Sequence, residues 1–360
     1  MLKSFAWLPE SGLLRDPRPA DFARIIEGPQ AVLWVDIERG TPEDFAILRQ
    51  PFGIHPVAIE ECRDYTPLPK IEDFGAYVLV ILHRVQFDEK TREAALREID
   101  FVVGRNWIIT VRQDSSTSVD EVQRKLKSQP DLLREGPGRL LAEIVDVLTS
   151  KYFPMVEFLE REVDLLEEGM LQRRYEEDPF GRILALRRTV VALRRTLVPQ
   201  REVIHRLGRE EIKLVSGNAA LRLRTTHDEL YWILTELEIH RELLTSAFEG
   251  HAAMTSNRLA ELSNRMNAVM ERLSRFATVF MPLSLIAGIY GMNFVHMPEL
   301  HWKFGYPAVL TLIATLGIWL SRYFARAIPA PLLPPEVSSR RVMTKVWKRP
   351  LAGPPPAGEK

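Results

Sequence analysis

Two uncharged stretches near the C-terminal end constrain this chain more than any other feature. Residues 276–295 read FATVFMPLSLIAGIYGMNFV, without a single charge. After HMPELHWK, residues 304–321 read FGYPAVLTLIATLGIWLS, again uncharged. A helix rises about 1.5 Å per residue, so each stretch can cross a hydrocarbon core roughly 30 Å thick. Buried helices of a soluble core are the alternative, but such helices seldom stay charge-free for so long, and here two stand in tandem. Pro282 and Gly288 inside the first stretch suit a spanning helix better than a soluble one. The expected organisation is a first span at 276–295, a loop at 296–303 and a second span at 304–326.

Flanking charge sets the orientation. Arg322 and Arg326 close the second span, and the tail at 327–360 carries six basic residues against Glu336 and Glu359. The loop at 296–303 holds only Glu299, Lys303 and two histidines. The positive-inside tendency therefore predicts a multi-pass protein of the inner (plasma) membrane, with both termini cytoplasmic and the loop outside. The Pro-rich basic tail is expected to be disordered and to rest on anionic lipid.

Average composition points elsewhere and misleads. Lys+Arg and Asp+Glu both number 48, 27% of residues are charged and 46% hydrophobic, the profile of an ordinary soluble protein. These values exclude wholesale disorder and a collagen-like chain, and they give no support to a basic nucleic-acid binder. The single cysteine, Cys62, excludes an intrachain disulfide and fits a reducing compartment. The N-terminal segment has no sustained apolar run and does not read as a secretory signal.

Residues 1–130 read as a cytoplasmic α/β domain. Strands are expected at 31–37, 77–87, 97–104 and 106–112, where β-branched and aromatic residues partly alternate with polar ones. Helices are expected at 42–52 and 55–63. There is no glycine-rich phosphate loop, no dinucleotide fingerprint and no nucleophile–base set, so an enzyme is not expected.

Residues 131–275 read as helical. Val156, Leu159, Val163, Leu166 and Met170 recur at three- and four-residue spacing among Glu157, Glu160, Glu162, Asp164, Glu167 and Glu168. The following helix reverses the sign, with Arg182, Arg187, Arg188, Arg194, Arg195 and Arg201 around Ile183, Leu186, Val190, Leu193 and Leu197. An antiparallel hairpin with complementary charged faces follows, which argues against nucleic acid as the partner of the arginines. A third helix is expected from near Glu210, through Gly250, to Tyr290. At about 80 residues it would be a rod of roughly 120 Å. Such a rod cannot bury its own face, and two spans cannot enclose a hydrated pore. Transport would require a homo-oligomer.

YGMNFVHMPEL, residues 290–300, carries the most specific signal. Gly291-Met292-Asn293 at the end of the first of two C-terminal spans, followed by MPEL, resembles the CorA family of magnesium transport proteins. FMPLSLIAGIYGMNF, HWKFGYPAVL, WVDI, FGIHPVAIEEC and PKIEDFGAYV extend the resemblance in order over essentially the whole chain. It implies a homopentameric funnel, an α+β membrane protein whose α/β domain leads through a long helical stalk into the pore-lining first span. Mg²⁺ would be both cargo and regulator, without an organic cofactor. Mg²⁺ dehydrates reluctantly, so a ring of Asn293 carboxamides would accept it with its waters on, weakly enough for release. The membrane potential would supply about 4.6 kcal/mol per divalent ion per 100 mV.

By register, the family's inward-facing positions fall on Asn267, Met270, Leu273, Met281, Ser284 and Gly288, with Met270, Leu273 and Met281 forming an apolar constriction that gates by dewetting. Helix–helix packing is the alternative reading of the same stripe. Glu299 would concentrate cations at the entrance or serve as a solvated turn residue. The family's cytosolic Mg²⁺ sensor maps to Glu60 and Glu61, facing an acid on the neighbouring stalk. Here Thr225 occupies that place, and Asp228 lies one turn on. Lower in the stalk, Ser256 stands in ungapped register, and Glu249 after a seven-residue shift. Cys62 with His55 suggests a softer ion, against a small buried hydrophobe.

The expected activity is Mg²⁺ influx gated by cytosolic Mg²⁺, with Co²⁺ and Ni²⁺ as further cargo. Two rivals stay open: a Zn²⁺ transporter of the same family, coupled to protons, and a membrane-anchored coiled-coil scaffold without transport.

Overall fold

The computed structural model describes residues 1–88, 93–172, 179–215, 217–292 and 302–327. By internal contacts the chain divides into two units, Met1–Ala253 and Met254–Lys360.

The first unit is built on seven strands: β1 (Leu2–Leu8), β2 (Gly12–Arg15), β3 (Val32–Glu38), β4 (Lys70–Asp73), β5 (Val78–Asp88), β6 (Glu93–Val103) and β7 (Trp107–Arg112). Their order is β2-β1-β3-β7-β6-β5-β4, with β3 and β7 parallel and the other neighbours antiparallel. The four expected strands are β3, β5, β6 and β7, each within a few residues of its bounds. β1, β2 and β4 were not anticipated. β2 and β4 are four-residue edge strands, too short to show a period, and the sheet itself recruits them.

Helices cover both faces of this sheet. One face, with Leu33, Val35, Ile37, Leu79, Ile81 and Ile109, packs under α1 (Phe22–Glu27), α2 (Pro42–Phe52) and α3 (Pro56–Arg63). α2 starts at a capping box, where Thr41 and Asp44 each accept the other's backbone N–H, and it stops at Gly53 with φ 64°. The opposite face, with Trp34, Val80, Leu82, Phe101 and Ile108, packs against the later helices. These are α4 (Thr117–Ser128), α5 (Asp131–Arg134), α6 (Pro137–Ser150), α7 (Phe153–Gln172), α8 (Pro179–Gly208) and the first part of α9 (Asn218–Tyr290). One apolar core, from Phe5 to Ala247, runs across residue 130 without a break.

The α7/α8 hairpin joins through Glu162, whose carboxylate accepts from Arg182 at 2.6 Å. α9 begins at Asn218, eight residues later than expected. The delay has a backbone cause: α8 ends at Gly208, and Glu210 and Gly217 both adopt left-handed φ, 59° and 61°. Thereafter α9 continues for 73 residues, through Gly250 and Pro282. Its buried side chains lie between Ala219 and Ala247.

The second unit contains the rest of α9 and α10 (Gly305–Ala327). Among the described residues these are the two helices long and apolar enough to cross a membrane, and no residue in the apolar window of either is buried. They meet closely at Gly317, where a Cβ would lie 3.3 Å from Leu283 Cδ1.

Candidate functional site

Asn267, Met270, Leu273, Met281, Ser284 and Gly288 all lie on α9 and are all exposed. At about 100° per residue they fall within an arc of roughly 120°. Met281 is 73% exposed, and an added Cβ at Gly288 would meet no atom within 4 Å. With no neighbour to cover it, this stretch of helix is braced by its own i,i+4 pairs, Glu261–Arg265 at 3.0 Å and Glu271–Arg275. The helix ends in a tightened turn: Gly291 N–H donates to Ala287 O at 3.0 Å and Met292 N–H to Ile289 O at 3.2 Å. Behind that turn, Ala287, Tyr290 and Gly291 face Tyr306 and Val309 of the second apolar helix, and Trp302 just before it, across a cavity of about 340 Å³. Asn293, Glu299 and the basic tail lie outside the described residues.

The four candidate regulatory acids do not converge within one chain. Glu60 and Glu249 are exposed on α3 and α9. Asp228 is exposed too and contacts His227 Nδ1 at 3.1 Å. Glu61 is half-buried and already engaged: its Oε1 meets Lys70 Nζ at 2.6 Å, while its buried Oε2 has no partner. Lys70 also reaches Glu72 at 2.8 Å. Burial works against the Lys70 charge, but its hydrogen bonds to Glu61 and Glu72 outweigh that and hold it above the usual lysine range. No group of three or more His, Cys, Asp or Glu side chains among the described residues is arranged to hold a metal ion. His55 and Cys62 do different work at opposite ends of α3. His55 caps the helix, its Nδ1 accepting Val57 N–H at 3.3 Å, whereas Cys62 is buried.

Sequence reading missed the polar groups inside the sheet. Glu98 and Asp100 on β6 share a face with His83 on β5, since His83 pairs with Glu98 and Ile81 with Asp100 across the strands. Burial, then the Glu98 charge, pushes the Asp100 carboxyl well above the usual range. Burial and the Asp100 charge do the same to the Cys62 thiol. His83 is fully buried, and burial lowers its pKa against a weaker opposing contribution from the Thr66 backbone. On the opposite face Asp36 accepts from Arg112 Nη2 at 3.0 Å, Thr110 Oγ1 at 2.6 Å and Gln123 Nε2 at 2.8 Å. The available signal was charge inside otherwise apolar strands, as in WVDI and REIDFVV, which demands internal partners.

Comparison with known proteins bears on what the uncovered helices do. A match to the family described as CorA-like Mg2+ transporter protein spans residues 29–326. The putative metal ion transporter YfjQ of Bacillus subtilis is 33% identical over 292 residues, covering 81% of this chain and 88% of that protein. The cobalt/magnesium transport protein CorA of Thermotoga maritima is 32% identical over 276 residues, 76% of each chain. Among solved structures, the CorA magnesium transporter of Methanocaldococcus jannaschii superimposes with a TM-score of 0.62 at 21% identity, over 91% of this chain and 98% of that one. At that identity the likeness speaks for the fold alone: a soluble α/β part, a long helix and a second C-terminal helix. With the family match covering most of its length, and its two apolar helices uncovered, this chain belongs to the CorA-like Mg²⁺ transporter family of divalent-cation membrane transporters.

Proposed function

We infer that the chain is a Mg²⁺ influx channel of the inner membrane, assembled as a homopentamer with both termini cytoplasmic. The observation that carries the reading is the exposed stripe of α9 that holds Asn267, Met270, Leu273, Met281, Ser284 and Gly288. A face that includes Met270, Leu273 and Met281 cannot stay in water, and the rest of this uncovered apolar helix requires lipid or partner copies. In an oligomer the stripe lines a pore, with its three large apolar side chains as a dewetting gate and Gly288 as a wide level above them. Asn293, following Gly291 and Met292, forms the filter ring that takes Mg²⁺ with its waters on. Glu299 draws cations to the entrance. No organic cofactor is needed, because the ion runs down the membrane potential.

Closure by cytosolic Mg²⁺ rests on differential binding to the closed state. Glu60 and Asp228 are exposed and free to approach a partner copy, and Glu249 offers a second acid lower on the stalk. Glu61 contributes little, since Lys70 already neutralises it.

Divalent uptake into proteoliposomes by the purified wild-type chain and by Asn293→Ala tests the proposal. Mg²⁺ uptake that falls at least tenfold in the variant supports it; equal uptake removes the filter and favours a scaffold. Zn²⁺ uptake that collapses without a pH gradient, with no Mg²⁺ uptake, would replace magnesium by proton-coupled zinc.

A further inference from the structure

The arginines of α8 were expected to be neutralised by acidic neighbours, and the structure does this for only some of them. Arg182 pairs with Glu162, Arg194 pairs with Glu238 of α9, and Arg201 lies over the Tyr231 ring at 5.6 Å. Arg187, Arg188 and Arg195 are exposed and make no ion pair with any described residue. These three sit with Leu184 and Val191 on a single stripe of α8, at three- and four-residue steps, away from the core positions Ile183, Leu186, Val190 and Leu193.

That stripe is one wall of a cavity of about 630 Å³. The other wall comes from Tyr65, just after α3, and Leu96 of β6. Tyr65 is 66% exposed, yet its ring is steadied edge-on against buried His83, centroids 6.0 Å apart. Among the described residues, no acidic side chain lines the cavity.

The chemistry of these walls is specific. Three guanidiniums on one stripe repel each other; the neighbouring Glu98 carboxylate is turned to the Thr66 N–H at 2.6 Å and outside the lining, so a bound anion relieves the repulsion. The planar donor fork of arginine matches phosphate oxygens in pairs. Leu96 and the Tyr65 ring make the facing wall apolar and aromatic, of the kind that receives an aromatic base. The volume lies in the range of sites for small organic ligands. A single inorganic anion would leave the apolar wall unused.

We propose that this cavity binds a nucleoside polyphosphate, with Arg187, Arg188 and Arg195 on the phosphates and the base against Tyr65. The nucleotide acts as a cytosolic ligand and not as an energy source, since the chain has no phosphate loop for hydrolysis. The binding reading stands apart from the ion-conduction reading, because neither the stripe of α9 nor the GMN motif takes part in it.

The test is calorimetric titration of the purified full chain in detergent, free of divalent metal, with ATP, adenosine and inorganic tripolyphosphate. Saturable ATP binding at one site per chain is expected, tripolyphosphate binding more weakly and adenosine not at all. Arg188→Ala/Arg195→Ala should weaken ATP at least tenfold, and Arg188→Lys/Arg195→Lys should weaken it less. Tyr65→Ala should weaken ATP while leaving tripolyphosphate unchanged. The proposal is overturned if ATP does not saturate, if the alanine pair binds ATP as wild type does, or if tripolyphosphate matches ATP. It is equally overturned if the lysine or alanine pair breaks up the oligomer on light scattering, which would mean that a second copy covers this face.

Discussion

Replacing two glycines of the apolar helices by valine separates packing from conduction. At Gly317 an added Cβ lies 3.3 Å from Leu283 Cδ1 and 3.9 Å from Cδ2. The two further methyl groups of valine must push that leucine aside, an overpacking cost of about 1–3 kcal/mol. At Gly288 an added Cβ meets nothing within 4 Å, and valine gains a few tenths of a kcal/mol in helix propensity over glycine. Stability alone therefore predicts that Gly317→Val is harmed and Gly288→Val is not. Transport predicts the reverse order of damage. A hydrated Mg²⁺, with Mg–O near 2.1 Å and a water radius of about 1.4 Å, is roughly 7 Å across. In the proposed pentamer, Gly288→Val adds five branched side chains at one level of its path. A tenfold fall in flux needs only about 1.4 kcal/mol of added barrier. Thermal unfolding in detergent and Mg²⁺ uptake into proteoliposomes, on the same preparations, make the comparison. Gly288→Val that melts like wild type and transports at wild-type rate would refute the placement of this stripe in a pore. Gly317→Val as stable as wild type would refute the packing of Leu283 on Gly317.

Other expectations follow from the cytoplasmic unit. Asp36→Ala leaves Arg112, itself fully buried, with Glu38 and Asp120 as its carboxylates, each at 3.2 Å, beside the Asp114 carbonyl at 3.4 Å, and should cost about 3–5 kcal/mol in a denaturant titration. A loss below about 1 kcal/mol would show that those two acids suffice. Asp100 has its carboxyl pKa raised by burial and by Glu98, so its contribution to stability is greatest below the unfolded value near 3.9 and is lost as pH rises through the folded value. Asp100→Asn should therefore melt higher than wild type on the alkaline side, with the gap closing towards acid; a gap independent of pH would contradict the assignment. His83 carries the opposite sign, since burial lowers its pKa: stability is lost as pH falls through the unfolded value near 6.5. Replacing His83 by Gln should flatten that acid limb in the same melting series.

The α/β character of the first part, the bounds of α2 and α3, and the two long apolar helices were legible because each has a period, a cap or a length that acts locally. Thr41-Pro42 with Asp44 announces α2, and His55-Pro56 announces α3. Strands β2 and β4 were not legible, since four residues cannot display alternation and only pairing with β1 and β5 defines them. The start of α9 was misplaced because nothing in the local pattern says that Glu210 takes a left-handed conformation. That Asn267, Met270, Leu273, Met281, Ser284 and Gly288 share one face of α9 was readable in register, as helical periodicity fixes which residues lie together. The state of Glu61 on α3 was not, because Lys70 reaches it from strand β4.

The sequence by itself determined the two long apolar helices and the alternation of acidic and basic helices, all of which depend on residues near one another in the chain. Tertiary structure alone decided which charges are spent. It buried Asp36 with Arg112, tied Glu61 to Lys70, and matched Arg182 and Arg194 to carboxylates while leaving Arg187, Arg188 and Arg195 around an open cavity. The reason is physical: a charge pairs or stays free according to distance in space, and a formal balance of 48 against 48 says nothing about distance.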